Sequence, residues 1–110
     1  MMIGKEIDGI EIQIDNDSLE AMTFAESVAR AYADKLADIG EYLSKDEGIR
    51  IFFNNPSKER IIVGLKQPKL RIFNSTGVLT YCDHDLDDTH IIDLEFGGVL
   101  ESFLYVSIDG

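Results

Sequence analysis

Residues 89–108 read THIIDLEFGGVLESFLYVSI, two runs rich in apolar and β-branched side chains on either side of Gly97-Gly98. Both glycines can adopt the positive φ angles of a tight turn, so the stretch predicts a β-hairpin. A two-residue loop would set Leu94 opposite Glu101 and would mix apolar and charged side chains on each face. A three-residue loop with a glycine bulge gives one nearly clean apolar face, and we expect that register.

The expected register leaves the other face of this hairpin with a mixture of carboxylates and aromatic rings. On the apolar face it pairs Phe96 with Leu100, Leu94 with Ser102, Ile92 with Leu104 and His90 with Val106. On the other face it pairs Glu95 with Glu101, Asp93 with Phe103 and Ile91 with Tyr105. Like charges directly opposite each other destabilise a sheet. Exposed aromatic side chains beside them add apolar surface that the isolated chain leaves in water. A positively charged partner would pair with these carboxylates and cover the aromatic rings, which would explain why the sequence has them there.

The N-terminus predicts a first, shorter hairpin. Asp8-Gly9 separates residues 2–7 from the strictly alternating segment 10–14. Asp-Gly is a favoured pair for a two-residue turn, and the alternation indicates one buried face. A single strand over residues 10–14 is the alternative.

One long helix is expected after this hairpin. Asp17, followed by Glu20 three residues later, is typical of a helix start, with Asp17 as the N-cap. Apolar side chains then recur at steps of three and four residues, which predicts helix to about Lys45. Gly40 is expected to bend or interrupt it.

The middle of the chain predicts shorter elements. We expect a strand at 49–53, then a second helix at 57–66 with Asn55 as its N-cap and Pro56 at its first position. The β-branched residues 61–63 leave a strand open as the alternative to this helix. Two further strands are expected at 70–72 and 78–82, around a turn at 74–77.

Together these elements predict an α+β fold in a single domain over residues 1–110. The sheet should be mainly antiparallel, with about five or six strands. The long N-terminal helix and the short second helix should pack on one face of it.

Composition favours a cytoplasmic protein with a basic partner. The net charge is −11, which makes nucleic acid and anionic membranes poor partners. Residues 1–47 carry twelve acidic and four basic side chains (−8), residues 48–72 one and six (+5), and residues 73–110 eight and none (−8). The single cysteine, Cys82, excludes an internal disulfide and fits a reducing compartment. No apolar run approaches the roughly 20 residues that span a bilayer.

The segment 83–88, Asp-His-Asp-Leu-Asp-Asp, is the most suggestive cluster of functional groups. Its spacing resembles the start of a calcium-binding loop, but Asp88 stands where glycine is needed and Leu94 where glutamate is needed. Cys82 and His84 lack the further ligands of a zinc site. We therefore expect no metal or other cofactor. The segment is expected to form a solvated turn whose carboxylates occupy a basic cleft of the partner protein.

The basic segment 50–71 lacks the glycine-rich loop followed by Lys-Ser or Lys-Thr that cradles phosphates. Neutralisation of the acidic flanks is its expected role. Phe52 and Phe53 are adjacent, so in a strand they point to opposite faces and one of them is expected to be exposed.

Size, charge and the acidic C-terminal hairpin together resemble the immunity proteins of bacterial contact-dependent growth inhibition and related polymorphic toxin systems. The resemblance spans residues 79–110, from LTYC (79–82) through HIIDLEF (90–96) to SIDG (107–110), about a third of the chain. It implies a cytoplasmic protein that binds one cognate toxin domain, often a nuclease, and blocks its active site. Such proteins share no diagnostic motif, so the resemblance transfers no residue roles.

Our hypothesis from the sequence is a non-catalytic inhibitor that docks an acidic surface on a basic toxin domain. The predicted contact residues are Asp83, Asp85, Asp87, Asp88, Asp93, Glu95, Glu101, Phe103 and Tyr105. One alternative is a small metal- or thiol-dependent enzyme that uses Cys82, Asp83, His84 and Asp85. Another is an accessory subunit of a homo-oligomeric complex that uses an exposed sheet edge; the sequence leaves the oligomeric state open.

Overall fold

A computed structural model describes residues 3–14, 18–73 and 76–110. Within them the chain forms six strands and three helices: β1 (Ile3–Ile7), β2 (Ile10–Ile14), α1 (Leu19–Lys45), α2 (Glu47–Phe52), α3 (Lys58–Gly64), β3 (Lys69–Ile72), β4 (Thr76–Tyr81), β5 (Ile91–Gly97) and β6 (Ser102–Asp109). The strands lie side by side in chain order. The predicted α+β class and the long N-terminal helix are confirmed.

The sheet is mixed, because one of its five strand pairs is parallel. β2 and β3 run in the same direction, whereas every other neighbouring pair is antiparallel. Parallel neighbours need a long crossover connection, and α1, α2 and α3 provide it between β2 and β3. The expectation of a mainly antiparallel sheet is therefore met only in part.

The predicted N-terminal hairpin is confirmed with its turn. Asp8 and Gly9 both have positive φ, 51° and 81°, as a two-residue type I′ turn requires. Ile10, Ile12 and Ile14 are buried and alternate with exposed residues, so β2 has one face in the core.

Helix α1 starts and ends close to the predicted positions. The Oγ of Ser18 accepts a hydrogen bond from the N–H of Ala21 (3.0 Å) and caps the helix, while Asp17, the predicted N-cap, lies outside the described residues. Of the two outcomes expected at Gly40, a bend or an interruption, the interruption is wrong, since the helix continues through Gly40 to Lys45. Gly40 instead allows α3 to approach, because a Cβ there would lie 2.6 Å from Cγ1 of Ile62.

The predicted strand at residues 49–53 is wrong, because this segment forms helix α2 and its C-cap. Asp46 accounts for the difference: its Oδ2 accepts a hydrogen bond from the N–H of Ile49 (3.0 Å) and starts a new helix directly after α1. Ile49 is buried, whereas Ile51 and Phe52 are exposed.

The predicted second short helix corresponds to α3, and the strand alternative for residues 61–63 is wrong. Its N-cap is Ser57, whose Oγ accepts from the N–H of Arg60 (3.1 Å), and not Asn55 as predicted. The strands expected at 70–72 and 78–82 are present as β3 and β4. In the expected turn, residues 74 and 75 lie outside the described residues, and Thr76 already belongs to β4.

The hairpin of β5 and β6 exists, but its predicted register is wrong. Gly97 pairs with Ser102, so the loop has four residues, and a bulge beside Glu95 and Phe96 shifts the rest of the strand pair. Leu100 explains the longer loop, since it is only 1% exposed and adopts a positive φ of 55° to reach the core. Burying a leucine side chain stabilises by about 1.5–3 kcal/mol, which outweighs the roughly 1–2 kcal/mol of a left-handed residue.

The corrected register separates two predicted contact residues, Phe103 and Tyr105, which are both expected on the face away from the core. Phe103, expected opposite Asp93, pairs with Phe96 and packs against Tyr42 of α1, with ring centroids 5.2 Å apart. It therefore belongs to the helix side of the sheet. Tyr105, expected opposite Ile91, pairs with Glu95 on the other side.

The core lies between the three helices and one face of the sheet. Its largest buried side chain is Tyr81, whose hydroxyl lies 2.7 Å from that of Tyr32 on α1. Burial raises the pKa of Tyr81 well above its ordinary value, so both phenols stay neutral and satisfy each other's hydrogen bonding.

Gly77→Ala should destabilise the fold by about 1–3 kcal/mol, because a Cβ would overpack the core. It would lie 2.6 Å from Cζ of the buried Phe96 and 3.0 Å from the carbonyl oxygen of Arg71. Urea denaturation gives the free energy of unfolding. Gly4→Ala is the matched control in a strand, since nothing lies within 4 Å of a Cβ there. Equal effects of the two changes would contradict the close approach of Phe96 to Gly77.

Candidate protein-binding surface

The side of the sheet opposite the helices, which we call the outer face, is not covered by any described element. Side chains alternate along each strand, so residues that neighbour one another across the strands form rows on this face. The first row is Glu11, Lys69, Thr80, Asp93 and Ser107, and the second is Gln13, Arg71, Val78, Glu95 and Tyr105, from β2 to β6 in each case.

The outer face carries charges of both signs, sorted by strand. Lys69 and Arg71 form a basic stripe on β3, and Asp93 and Glu95 form an acidic stripe on β5. An open depression of about 390 Å³ lies between Arg71 and Phe73 on one side and the acidic stripe with Tyr105 on the other. The face can therefore contact basic, acidic and aromatic groups of a partner at once.

Local contacts hold several of these side chains in place. The Oγ1 of Thr80 donates a hydrogen bond to Oδ1 of Asp93 (2.6 Å), and the guanidinium carbon of Arg71 lies 5.1 Å above the ring of Phe73. Tyr105 is 61% exposed, the largest exposed aromatic surface of the described chain. A rigid sheet thus presents an accessible tyrosine beside two carboxylates.

The loop between β4 and β5, residues 82–90, is anchored to the helices. Oδ1 of Asp85 lies 2.6 Å from Nη1 of Arg60, and Oδ2 lies 3.1 Å from Nζ of Lys66. The backbone N–H of Asp85 also donates to the carbonyl oxygen of Gly64 (3.0 Å). Gly64 permits this approach, because a Cβ there would lie 2.5 Å from Oδ1 of Asp85.

The ion pairs make Asp85 an anchor of the loop, although its side chain is 40% exposed. The hydrogen bonds from Arg60 and then from Lys66 hold the pKa of Asp85 below its usual value. The expectation that the basic segment neutralises the acidic flanks holds for these two cations, and also for Lys58, which lies 3.8 Å from Oε2 of Glu41.

A second anchor is formed within the loop by Asp87 and His90. Oδ1 of Asp87 accepts hydrogen bonds from the backbone N–H groups of Thr89 (3.1 Å) and His90 (3.0 Å), and Oδ2 contacts Nδ1 of His90. Burial raises the pKa of Asp87, but the hydrogen bonds from His90 and Thr89 outweigh it and hold the pKa below its usual value. Asp87 is thus engaged inside the loop.

His84 is the buried core of this loop, with only 5% of its surface exposed. Its Nδ1 accepts from the N–H of Leu86 (3.1 Å), so its Nε2 carries the proton and donates to the carbonyl oxygen of His90 (2.7 Å). Its ring meets the edge of Phe53 at a centroid distance of 5.4 Å. Both nitrogens of His84 are therefore occupied, and neither is available as a base for the exposed thiol of Cys82.

Metal binding has no support in the described geometry. No three His, Cys, Asp or Glu side chains in residues 3–14, 18–73 and 76–110 lie close enough together to hold a metal ion. Two of the loop carboxylates instead have other partners: Asp85 bonds to Arg60 and Lys66, and Asp87 bonds to the backbone N–H groups of Thr89 and His90.

The nine predicted contact residues do not form one surface. Asp93, Glu95 and Tyr105 meet on the outer face, and the four aspartates of segment 83–88 lie in the loop before β5. Glu101 lies in the loop after β5, where its Oε1 accepts from the N–H of Val99 (3.2 Å). These two loops are separated by the length of β5, roughly 20 Å at about 3.3 Å per residue.

Sequence reasoning missed the basic stripe and Phe73. The signal was present, because the segment 69–72 alternates Lys-Leu-Arg-Ile, and its two cations must share a face if its two aliphatic residues are buried. The expectation that every cation of the basic segment pairs internally with the acidic flanks did not take this alternation into account. Among the described residues, Arg60, Lys66 and Lys58 do form such internal ion pairs.

The chain matches no family model, and neither a curated protein nor a solved structure is significantly similar to it. Among the described residues no helix is both long and apolar enough to cross a membrane. The likeness to immunity proteins therefore depends on the residues quoted above, and the function is argued from the geometry of the outer face and the loop.

Asp85→Asn should lower the free energy of unfolding at neutral pH, and the difference from the native chain should disappear in acid. A carboxyl whose folded pKa is depressed stabilises the fold above its unfolded pKa, about 3.9, and stops doing so as the pH falls through the folded value. Urea denaturation at a series of pH values measures this. Asp83→Asn, at an exposed position in the same loop, is the control. If the free energy of unfolding of Asp85→Asn stayed below that of the native chain by the same amount in acid, this would contradict the assigned ion pairs.

Proposed function

We propose that this chain is a non-catalytic immunity protein of the cytoplasm, which binds and neutralises a cognate basic toxin domain of nuclease type. Its contact surface is the acidic stripe with Tyr105, extended at the end of the sheet by the exposed carboxylates of Asp83 and Asp88. Carboxylates would take the positions of substrate phosphates on the toxin, and the bulk of the sheet would block access to its active site.

One observation carries this proposal: no element of the described chain covers the outer face of the sheet, and this face exposes Tyr105 directly beside Glu95. Binding energy in protein interfaces concentrates on a few aromatic and charged side chains on a rigid support. Tyr105 supplies the apolar area, and the acidic stripe supplies the charge that a basic cleft would meet. Charge complementarity of this kind raises association rates and selects against wrong partners.

The anchored carboxylates support the proposal in a different role. Asp85 is paired with Arg60 and Lys66, and Asp87 with His90. They position the loop, so that Asp83 and Asp88 at its exposed points lose little freedom on binding. Phe103 packs against Tyr42 on the helix side of the sheet, so it is not part of the proposed contact surface.

The enzyme alternative is weaker on the same geometry. A thiol nucleophile needs a base within hydrogen-bond reach, and His84 has both ring nitrogens engaged by Leu86 and His90. A non-catalytic role therefore fits the loop better than a role in thiol chemistry.

The charge reversal Asp93→Lys with Glu95→Lys should slow association with the toxin by about tenfold or more, because it inverts the field that steers the encounter. Tyr105→Ala should instead raise the dissociation rate, because it removes the central apolar contact. The probe is the purified product of the gene adjacent to this one, and surface plasmon resonance at two salt concentrations gives both rates.

Asp34→Lys with Asp38→Lys is the matched control for the reversal. Both residues are exposed on α1, on the helix side of the sheet, and the change in net charge is the same. The control should retain nearly the native rates. Equal slowing by the control and by the acidic-stripe variant would show that only total charge matters, and native rates in both would remove the acidic stripe from the interface.

A further inference from the structure

The two charged stripes flank the strand β4 at matching levels. β3, with the basic stripe, is one neighbour of β4, and β5, with the acidic stripe, is the other. Each member of one stripe has a counterpart at the same level of the other: Lys69 and Asp93 both pair with Thr80, and Arg71 and Glu95 both pair with Val78. The outer face is therefore divided by β4 into halves of opposite charge.

We infer that the outer face is self-complementary and pairs two copies of this chain about a two-fold axis parallel to β4. A half-turn about an axis placed above β4 carries β3 of one copy over β5 of the other and leaves every residue at its level along the strands. Lys69 of each copy then faces Asp93 of the second copy, and Arg71 faces Glu95. Symmetry makes this four opposite-charge pairs.

The charge pattern selects this orientation. A two-fold axis perpendicular to the strands would set β3 over β3 and β5 over β5, with like charges facing each other, which is unfavourable. With the axis parallel to β4, Val78 meets Val78 of the second copy at the centre. Phe73 lies over the level of Gly97 of the second copy.

The size of the face sets the strength of the contact. Five overlapping strands about 4.8 Å apart, each about five residues long, give roughly 400 Å² per copy. Stable interfaces bury about 800 Å² per partner. We therefore expect a weak dimer that forms as the concentration rises, with the two sheets about 10 Å apart and their strands within about 30° of each other.

Two reversed variants test the pairing. Asp93→Lys with Glu95→Lys makes both stripes basic, and Lys69→Glu with Arg71→Glu makes both acidic; each should weaken self-association by at least about tenfold, because like charges then face each other. The first variant reduces the net charge from −11 to −7. General repulsion between copies would predict stronger association for it, so its loss of the dimer is specific to the stripes.

The decisive sample is an equimolar mixture of the two reversed variants. The inferred geometry places acidic stripes only over basic ones in a mixed pair, so the mixture should form heterodimers while each variant alone stays monomeric. The quadruple variant, with both stripes exchanged, should dimerise with itself again. Sedimentation equilibrium measures all four samples, circular dichroism checks that each is folded, and Asp34→Lys with Asp38→Lys should dimerise like the native chain.

A native chain that stays monomeric up to millimolar concentration would overturn the inference, and so would a dimer that survives in both reversed variants or a mixture that fails to pair. The inference does not depend on the proposed function. A monomer that still binds its toxin would overturn the dimer alone. A chain that dimerises at high concentration, but whose dilute monomer shows no measurable toxin binding, would overturn the proposed function alone.

Discussion

All described helices lie on one side of the sheet, and this one-sided burial is the constraint from which the rest of the structure follows. Ile12, Leu70, Leu79 and Leu94, one on each of four neighbouring strands, are buried against the helices. Their chain neighbours must then point away. The charges of β3 and β5 are thereby sorted into two stripes on the outer face, with Tyr105 beside them. Four of the five strand pairs are antiparallel, and antiparallel strands tolerate water on one face of the sheet, so the outer face can remain exposed to solvent.

The loop between β4 and β5 shows why local charge is a poor guide to surface charge. Six residues, 83–88, contain four aspartates, yet Asp85 is paired with Arg60, which lies 25 residues earlier in the chain. Asp87 bonds to His90 and the backbone. The electrostatic attraction of this segment for a partner is therefore weaker than its four aspartates alone would indicate. The same contacts hold the segment in place more firmly than a solvated turn would be. The exposed carboxylates of the strands carry more of the proposed binding.

The parts of the fold that depend on short-range chemistry could be predicted from the sequence. Asp8-Gly9 decides the first turn, the three- and four-residue apolar steps decide α1, and the alternation of apolar and polar residues decides the faces of the strands. The failures come from tertiary packing and, at Asp46, from a local helix cap that was not recognised. Segment 49–53 is rich in β-formers, but the Asp46 cap and the burial of Ile49 make it a helix. The register of β5 and β6 depends on the burial of Leu100, which no local rule predicts. Of the nine predicted contact residues, Asp93, Glu95 and Tyr105 share the outer face. The alternation of segment 69–72 could also have predicted that Lys69 and Arg71 share a face.

Carboxyl footprinting tests most directly whether the bare face of the sheet is the binding surface. A carbodiimide with an added amine labels accessible Asp and Glu side chains, and mass spectrometry reads the yield at each position with and without the toxin domain. Labelling of Asp93 and Glu95 should fall several-fold in the complex, while that of Asp34 and Asp38 on α1 should not change. Protection of the α1 aspartates with undiminished labelling on β5 would contradict the account.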